Sequence, residues 1–445
     1  MRLLDTNVKY FDTNSYGVPE LKNSWGSMIE FLDAALVDGS ESIKIISLST
    51  TEEITPDKSY WLTTLRLQEG HNLKENLSVI EITGASDPIL NGIHRVQSVS
   101  VNTAVIALDK ELVLKKPLDS QEEDLVSLRL PPLGYQKVFS EPEKAVYKVT
   151  TKDDKFCYLR VDNSCPQGYD PTWAKIARVS MYEDLRHIDD YKLRLGIKKA
   201  PAYSEDYNRT EENVYNTWIG TNDSDASGFY LHRIPDRENR NSIIIGDSST
   251  FYFHRELLTY NGSYGRDELY TFGKYKKYCY KEDPLPFILR SSQSEGVNSH
   301  YTVGHDRNSS IQRDSDWDNH TFNTDENKIY DIPESNRFAL WLTTSFRSSR
   351  DTRVSFLPYK NELPFNLVNM DLRFFRLNNT VLEGRYRGLK AIMNNLQDYP
   401  GHVPLHYSVF KKDESKYYLV MPCREYPHTN LIDCLMISLE NWSDL

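Results

Sequence analysis

Three aspartates at alternate positions, Asp314, Asp316 and Asp318, have the spacing that comes closest to a metal site. Carboxylate oxygens spaced in this way begin the loop that wraps Ca²⁺ in many calcium-binding proteins. That loop has glycine at its sixth position and glutamate at its twelfth, where this chain has Asn319 and Asp325. The pattern therefore favours a solvated acidic loop, with calcium at the three aspartates as the alternative. It predicts no bound metal and no cofactor.

A serine in a turn is the second candidate for chemistry. Ser248 follows Gly246-Asp247 and the apolar run Ile243–Ile245, an order that resembles the nucleophile block of GDSL-type esterases. A serine nucleophile needs a base within hydrogen-bonding reach, and those enzymes supply it from a late Asp-x-x-His. The late histidines here, in 398–402 and 425–428, do not have that spacing and acid together. We therefore interpret the block as a strand that ends in a Gly-Asp turn, and we predict no catalytic residue.

Residues 264–280 interleave tyrosines with lysines. Aromatic faces with cations between them can stack sugar rings or bases. A strand whose edge is guarded by lysines against aggregation gives the same pattern. The tyrosines that we keep as candidates for an interface or a glycan site are Tyr264, Tyr270, Tyr275, Tyr278 and Tyr280.

The composition bounds the class of protein. The chain has 445 residues with 53 basic and 64 acidic side chains, and its net charge of −11 argues against a nucleic-acid partner. Its five cysteines are odd in number and form no Cys-x-x-Cys pair, which predicts free thiols. No apolar run approaches a membrane span or a signal peptide, so we expect synthesis in the cytoplasm and no membrane partner. The 29 tyrosines are favoured in strands and also at protein interfaces.

One helix is predicted near the N-terminus. Ser27 and Glu30 have the spacing of a capping box, in which each side chain takes a backbone N–H of the first turn. Met28, Phe31, Leu32 and Leu36 then fall on one face, and Gly39 is placed to end the helix, which predicts a helix over 27–37. Residues 1–23 are polar and predict an extended arm that orders against a neighbour.

Short alternating runs separated by turn residues dominate the rest of the chain. They predict a mainly β, multi-domain fold of the sandwich or barrel type, with one short N-terminal helix and long loops. We expect an arm and helix over 1–40, a small β domain over 41–132 and a large β-sandwich-like region over 133–445. The large region is one domain or two packed subdomains, and its polar loops are 201–242 and 292–335.

A series of blocks along the chain is distinctive by its order. The blocks are Trp25–Gly39, Leu77–Gly92, Arg95-Val96, Leu133–Phe139, Ala145–Tyr147, Tyr158–Asp162, Ala177–Asp189, Ile244–Phe253, Leu269–Gly273, Leu382–Leu389 and Leu439–Trp442. In this order the chain resembles a widespread group of virion structural proteins of tailed bacteriophages. The resemblance covers most of the chain and weakens in the two polar loops. The chain departs from the group at Ser248, where glycine is frequent, and at Asp190–Gly196, which replaces a glycine-rich turn.

The resemblance implies a non-enzymatic structural component of a phage particle, placed in the tail, baseplate or collar in several symmetric copies. Its partners are then other virion proteins and further copies of the chain, and its location is the virion. Two alternatives stay open within the particle: a carbohydrate- or receptor-binding module that contacts host surface glycans, and a head-decoration protein. An enzyme with Ser248 as its nucleophile is a third hypothesis.

Overall fold

The protein is mainly β, as predicted, and the part of the chain that the structure describes contains one short α-helix, near the N-terminus. No helix among the described residues is long and apolar enough to cross a bilayer. The computed structural model describes residues 5–22, 24–54, 59–68, 70–112, 126–151, 154, 156–164, 176–182, 185–188, 216–219, 242–255, 268–277, 287–290, 339–342, 367–376, 379–392, 409–411, 417–426 and 431–442.

A closed barrel of antiparallel strands lies within the region 41–132, where a small β domain was expected. Alternate side chains point inward, and Leu65, Val96 and Ile106 are completely buried there. In their order around the barrel the strands are β2 (Ile43–Ile54), β3 (Ser59–Leu67), β6 (Thr103–Leu108), β5 (Gly92–Ser100), β4 (Val79–Thr83) and β7 (Ser127–Arg129).

The central sheet has apolar side chains on both of its faces. Ile244 packs into one core cluster with the helix and the barrel, whereas Ile243 and Ile245 pack into a second cluster on the opposite face. A strand that is covered on both sides reads as a continuous apolar run, and this explains Ile243–Ile245. In sheet order the strands are β1 (Lys9–Asp12), β13 (Ser242–Gly246), β14 (Thr250–Arg255), β15 (Glu268–Lys274) and β17 (Phe287–Arg290).

The described residues form two further antiparallel sheets. The meander sheet contains β12 (Asn216–Ile219), β11 (Ile176–Tyr182), β10 (Phe156–Asp162), β9 (Lys144–Thr150) and β8 (Gln136–Glu141), in that order. The C-terminal sheet contains β18 (Ala339–Leu342), β19 (Leu367–Arg376), β20 (Asn379–Ile392), β23 (Leu431–Ser438), β22 (Tyr417–Tyr426) and β21 (Val409–Lys411), and β16 (Lys276–Lys277) pairs with β20. Side chains of the meander sheet share the first core cluster, and those of the C-terminal sheet share the second.

The N-terminal segment differs from the extended arm that the sequence predicted. Residues 9–12 form β1, which pairs antiparallel with β13 from Lys9↔Gly246 to Asp12↔Ile243. The physical reason is burial, because Tyr10 enters the second core cluster and Phe11 enters the first. The segment therefore belongs to the same sheet as residues from the region 133–445.

Arg95 of β5 fixes the chain just before β1. Its Nε donates to the carbonyl of Asp5 at 2.6 Å, its Nη2 to the carbonyl of Val8 at 2.7 Å and its Nη1 to the carbonyl of Leu77 at 2.8 Å. The side chain is only 3% exposed, and this burial lowers its pKa to about 10, partly offset by the charge of Asp5. One guanidinium thereby joins the barrel to the first strand of the central sheet.

The helix forms where its periodicity predicted, but its ends are built differently. It consists of α1 (Ser27–Asp33) and a following π-helical turn (Ala34–Asp38), with Phe31 and Leu32 fully buried. The chain leaving the barrel satisfies the last carbonyls, because the Leu133 amide donates to Ala35 and the Gly134 and Tyr135 amides donate to Leu36. Gly39 ends the helix as predicted, with φ +84.

The capping-box prediction is wrong. The N-cap residue is Gly26, and no side chain of the first turn caps the helix. The hydroxyl of Ser27 is engaged with the backbone of Lys22, accepting from its amide at 3.0 Å and donating to its carbonyl at 2.9 Å. The cap comes instead from Asn163, directly after β10, since its Oδ1 accepts from the Met28 amide at 3.1 Å.

Candidate functional site

A dense cluster of polar contacts lies in the turn between β13 and β14. A Cβ at Gly246 would overlap the carbonyl of Thr250 and the side chain of Phe251, so only glycine fits where the two strands close. Asp247 then holds the turn, because its Oδ1 accepts from the amides of Ser249 at 2.8 Å and Thr250 at 2.9 Å. Its own amide donates to the carbonyl of Thr250 at 2.9 Å.

Arg387 of β20 reaches this turn from the C-terminal sheet. Its Nη2 lies 3.0 Å from Oδ2 of Asp247, and its Nη1 donates to Oδ1 at 3.3 Å. Nη1 also donates to the hydroxyls of Ser249 and Thr250. The two charged side chains are only 9% and 11% exposed, so the pair is a buried ion pair that joins two sheets.

Aromatic side chains surround the ion pair. The ring of Tyr135 contacts Phe251 edge-on at 5.8 Å between centroids and Phe272 at 6.3 Å. Burial raises the pKa of the Tyr135 hydroxyl, and the charge of Asp247 raises it further, against a smaller lowering by Arg387. Tyr252 donates from its hydroxyl to the carbonyl of Arg387 at 2.9 Å, and burial raises its pKa as well.

Lys9 of β1 approaches the same region from the barrel side. Its Nζ donates to the carbonyl of Pro132, in the chain that leaves the barrel. Burial lowers the pKa of Lys9, and the charges of Glu81 and Asp247 offset part of that shift. Three parts of the chain therefore meet near the turn: β1 through Lys9, the segment after the barrel through Pro132, and the C-terminal sheet through Arg387.

The C-terminal end of the described chain packs beside Arg387. Trp442 contacts Tyr252 edge-on at 5.6 Å, and its indole Nε1 donates to the carbonyl of Ser438 at 2.8 Å. Gly388 has φ +69, and a Cβ there would overlap the indole ring. The absence of a side chain at Gly388 thus allows Trp442 to pack in the second core cluster.

Ser248 lies exposed at the tip of this turn. Its neighbour Asp247 is engaged by Arg387 and by the turn amides, which agrees with the interpretation of the block as a strand ending in a Gly-Asp turn. Among the described residues, no three of the types that bind metals are grouped so that they could hold an ion. The contacts of Asp247 and Arg387 join the central sheet to the C-terminal sheet, so the arrangement can stiffen the junction between them.

The structure describes two of the tyrosine candidates, and the predicted calcium candidates lie outside the described residues. Tyr275 is 1% exposed and lies in the second core cluster, at the point where the chain passes from β15 to β16 and so from the central to the C-terminal sheet. It is therefore not part of an exposed aromatic surface. Tyr270 is in β15 opposite Phe253. The candidates outside the described residues are Asp314, Asp316, Asp318, Tyr264, Tyr278 and Tyr280.

Sequence reasoning missed Arg387, Arg95 and Asn163 as structural residues. Arg387 and Arg95 stand in strands that mix polar and apolar residues, and Asn163 directly follows β10, so no local pattern marked any of the three as buried. The glycine directly after Arg387 was the one local signal of a close contact at this position.

Several of the blocks that carry the sequence resemblance meet at this junction. Ile244–Phe253 supplies the turn, and Leu269–Gly273 supplies β15 beside it. Leu382–Leu389 supplies Arg387 and Gly388, and Leu439–Trp442 supplies the tryptophan. No family model matches the chain, and no curated protein matches it.

Proposed function

We propose that the protein is a non-enzymatic structural component of a tailed-phage virion, built into the tail, baseplate or collar in several symmetric copies. The observation that carries the proposal is the junction around Asp247 and Arg387. Four blocks of the sequence resemblance supply it, so the resemblance falls on residues that hold the sheets together. Similarity at such residues supports a fold in common with the group of phage structural proteins more than a binding surface in common with it.

The physical character of the junction also favours this role. The carboxylate of Asp247 and the guanidinium of Arg387 satisfy each other and the turn, so they join the layers and present little charge to solvent. Arg95 likewise joins the barrel to the segment before β1, through hydrogen bonds to the backbone carbonyls of Leu77 and Val8. Because these buried contacts hold the sheets and the barrel in fixed positions, the protein can present surfaces of constant shape to its neighbours in an assembly.

Mass spectrometry of density-purified particles of the source phage tests the proposal. Protein intensities are scaled to the major capsid protein. A few to tens of copies per particle support a tail, baseplate or collar component, and hundreds favour head decoration. Absence from the particle contradicts a structural role, as does strong turnover of ester or glycan substrates by the purified chain. A serine-reactive phosphonate that labels Ser248 would favour the esterase hypothesis.

A carbohydrate- or receptor-binding role is the second candidate, and one observation on the meander sheet favours it. Phe156 is 37% exposed and meets Tyr158 edge-on at 5.6 Å, with Nζ of Lys148 4.4 Å from the Phe156 centroid. Aromatic rings with a cation beside them can stack on sugars. A glycan array with the wild type and Phe156→Ala tests this role, and Val101→Ala, an exposed apolar residue in the β5–β6 turn, is the control.

A further inference from the structure

His71 links the N-terminal segment to the barrel, and both of its ring nitrogens take part. The residue lies in the loop before β4 and is 2% exposed. Its Nδ1 accepts from the Leu73 amide at 2.9 Å, and its Nε2 is 3.1 Å from the carbonyl of Thr103 at the start of β6. A ring that accepts at Nδ1 and donates at Nε2 is neutral, with its proton on Nε2.

The same loop holds the N-terminal segment from the other side. The amide of Tyr16 donates to the carbonyl of His71 at 3.3 Å, and Nδ2 of Asn72 donates to the carbonyl of Asn14 at 2.7 Å. Asn72 itself has φ +50, a conformation that asparagine tolerates better than most residues. The turn that the His71 ring stabilises therefore places both groups that residues 14–16 contact.

We propose that His71 is a pH-sensitive latch, which holds residues 14–18 against the barrel at neutral pH and releases them on acidification. A second proton on the ring converts Nδ1 from an acceptor into a donor and sets it against the Leu73 N–H. The ring then leaves its site, the turn at 71–73 opens, and the contacts of Tyr16 and Asn14 are lost with it. The inference is independent of the proposed function.

The electrostatic surroundings fit a ring that is neutral when latched. Burial lowers the pKa of His71, and the carbonyls of Thr103 and Ser100 offset part of that shift. Asp12 is occupied by the Tyr10 hydroxyl and the Asn14 amide. Among the described residues, the other titratable side chains on the surrounding elements include Tyr16, which packs against the first core cluster, and Arg66, Lys74, Glu75 and Glu41, which are exposed. On β5, His94 bonds the carbonyl of Leu90, and Arg95 donates to the carbonyls of Asp5, Val8 and Leu77.

The sign of the pH effect follows from the direction of this shift. The pKa of a histidine in the latched state is lower than its ordinary value of about 6.5, so the stabilisation of that state is complete above about pH 6.5. The stabilisation is lost as the pH falls from there toward the pKa of the latched histidine. At pH 5.0 the ordinary pKa is about 1.5 units away, so the opening equilibrium rises by at most about 30-fold.

Hydrogen exchange of the full chain at pH 7.5 and pH 5.0, expressed as protection factors, tests the latch. We expect protection of residues 14–18 and 71–73 to fall at pH 5.0 in the wild type. In His71→Asn the fall should disappear, because the asparagine oxygen can accept from the Leu73 amide and does not titrate. In His94→Gln the fall should persist, since His94 is a half-buried histidine of β5 whose ring bonds the carbonyl of Leu90 instead of the loop at 71–73.

Three results would overturn the latch. The first is equal protection of residues 14–18 at both pH values in the wild type, which decides the question even if His71→Asn does not fold. The second is an undiminished fall in His71→Asn. The third is that the fall in protection at pH 5.0 disappears in His94→Gln, which would assign the response to acid to His94.

Discussion

Arg387 and Asp247 stand 140 residues apart in the sequence and form a two-point ion pair, with 3.0 Å between Nη2 and Oδ2 and 3.3 Å between Nη1 and Oδ1. The pair fixes the C-terminal sheet to the turn of the central sheet. Breaking a buried pair by removing one partner leaves the other charge uncompensated, which is costly in a site with little water.

Arg387→Met should therefore destabilise the protein strongly. We expect the free energy of unfolding to fall by about 3–5 kcal/mol, because Asp247 keeps its burial and loses its partner. Urea unfolding followed by near-ultraviolet circular dichroism measures the change. Arg129→Met is the matched control: Arg129 pairs with Glu81 at 2.7 Å, but 38% of its side chain is exposed, so its loss should cost no more than about 1 kcal/mol. Equal losses in the two variants would contradict the prediction.

Gly388→Ala should be destabilising by more than its backbone conformation explains. The residue has φ +69, which costs about 1–2 kcal/mol for alanine, and the new methyl group also overlaps Trp442. Gly26→Ala is the control, since φ there is +87 and the nearest atom to the new Cβ lies at an ordinary 3.4 Å. In a Trp442→Ala background the cost of Gly388→Ala should drop to that of the control. A cost that is the same in both backgrounds argues against the overlap.

Asn163→Ala should weaken the N-terminus of α1, although Asn163 directly follows β10 and is 135 positions from Met28. Loss of a capping acceptor costs about 1 kcal/mol, and exchange protection of the Met28 amide should fall with it. Glu30→Gln is the control, because Glu30 makes no capping bond and is exposed. The capping box that the sequence predicted gives the opposite ranking, so the two variants together separate a local cap from a distant one.

Two buried tyrosines should respond to phenylalanine with opposite signs. The hydroxyl of Tyr135 has no hydrogen-bond partner among the described residues, so Tyr135→Phe should raise the unfolding free energy by about 1 kcal/mol. The hydroxyl of Tyr147 donates to Oδ1 of Asp33 at 2.9 Å, so Tyr147→Phe should lower it by a similar amount. Thermal unfolding midpoints measure both, and a loss of stability in Tyr135→Phe would contradict the first.

Local signals in the sequence predicted the local structure well. The spacing of Met28, Phe31, Leu32 and Leu36 predicted the helix, and alternation predicted the mainly β fold, because a periodic pattern needs only neighbouring residues to be read. The strand at β5 shows the limit of that signal. Arg95 has the pattern of a solvated residue on a polar face, yet its guanidinium is buried and bound by the carbonyls of Asp5 and Val8, just before β1.

The site depended on partners that no local pattern identifies. The pairing of β1 with β13, the cap from Asn163 and the ion pair of Arg387 each join residues more than a hundred positions apart. Tyr275 looked like an exposed aromatic because lysines flank it, but the chain changes sheets there and buries the ring. Such contacts are decided by the packing of layers, which composition and spacing do not encode.

The pairing of β1 with β13 also sets an order of events during synthesis. Thr13 and Ser242 are 229 positions apart, so at about 5–20 residues per second the first strand leaves the ribosome roughly 10–50 s before its partner exists. The barrel can close in that interval, because its strands end at Arg129. The carbonyls of Asp5 and Val8 can therefore meet Arg95 before β13 is made, and the nascent barrel would hold β1 in place for a sheet still to come.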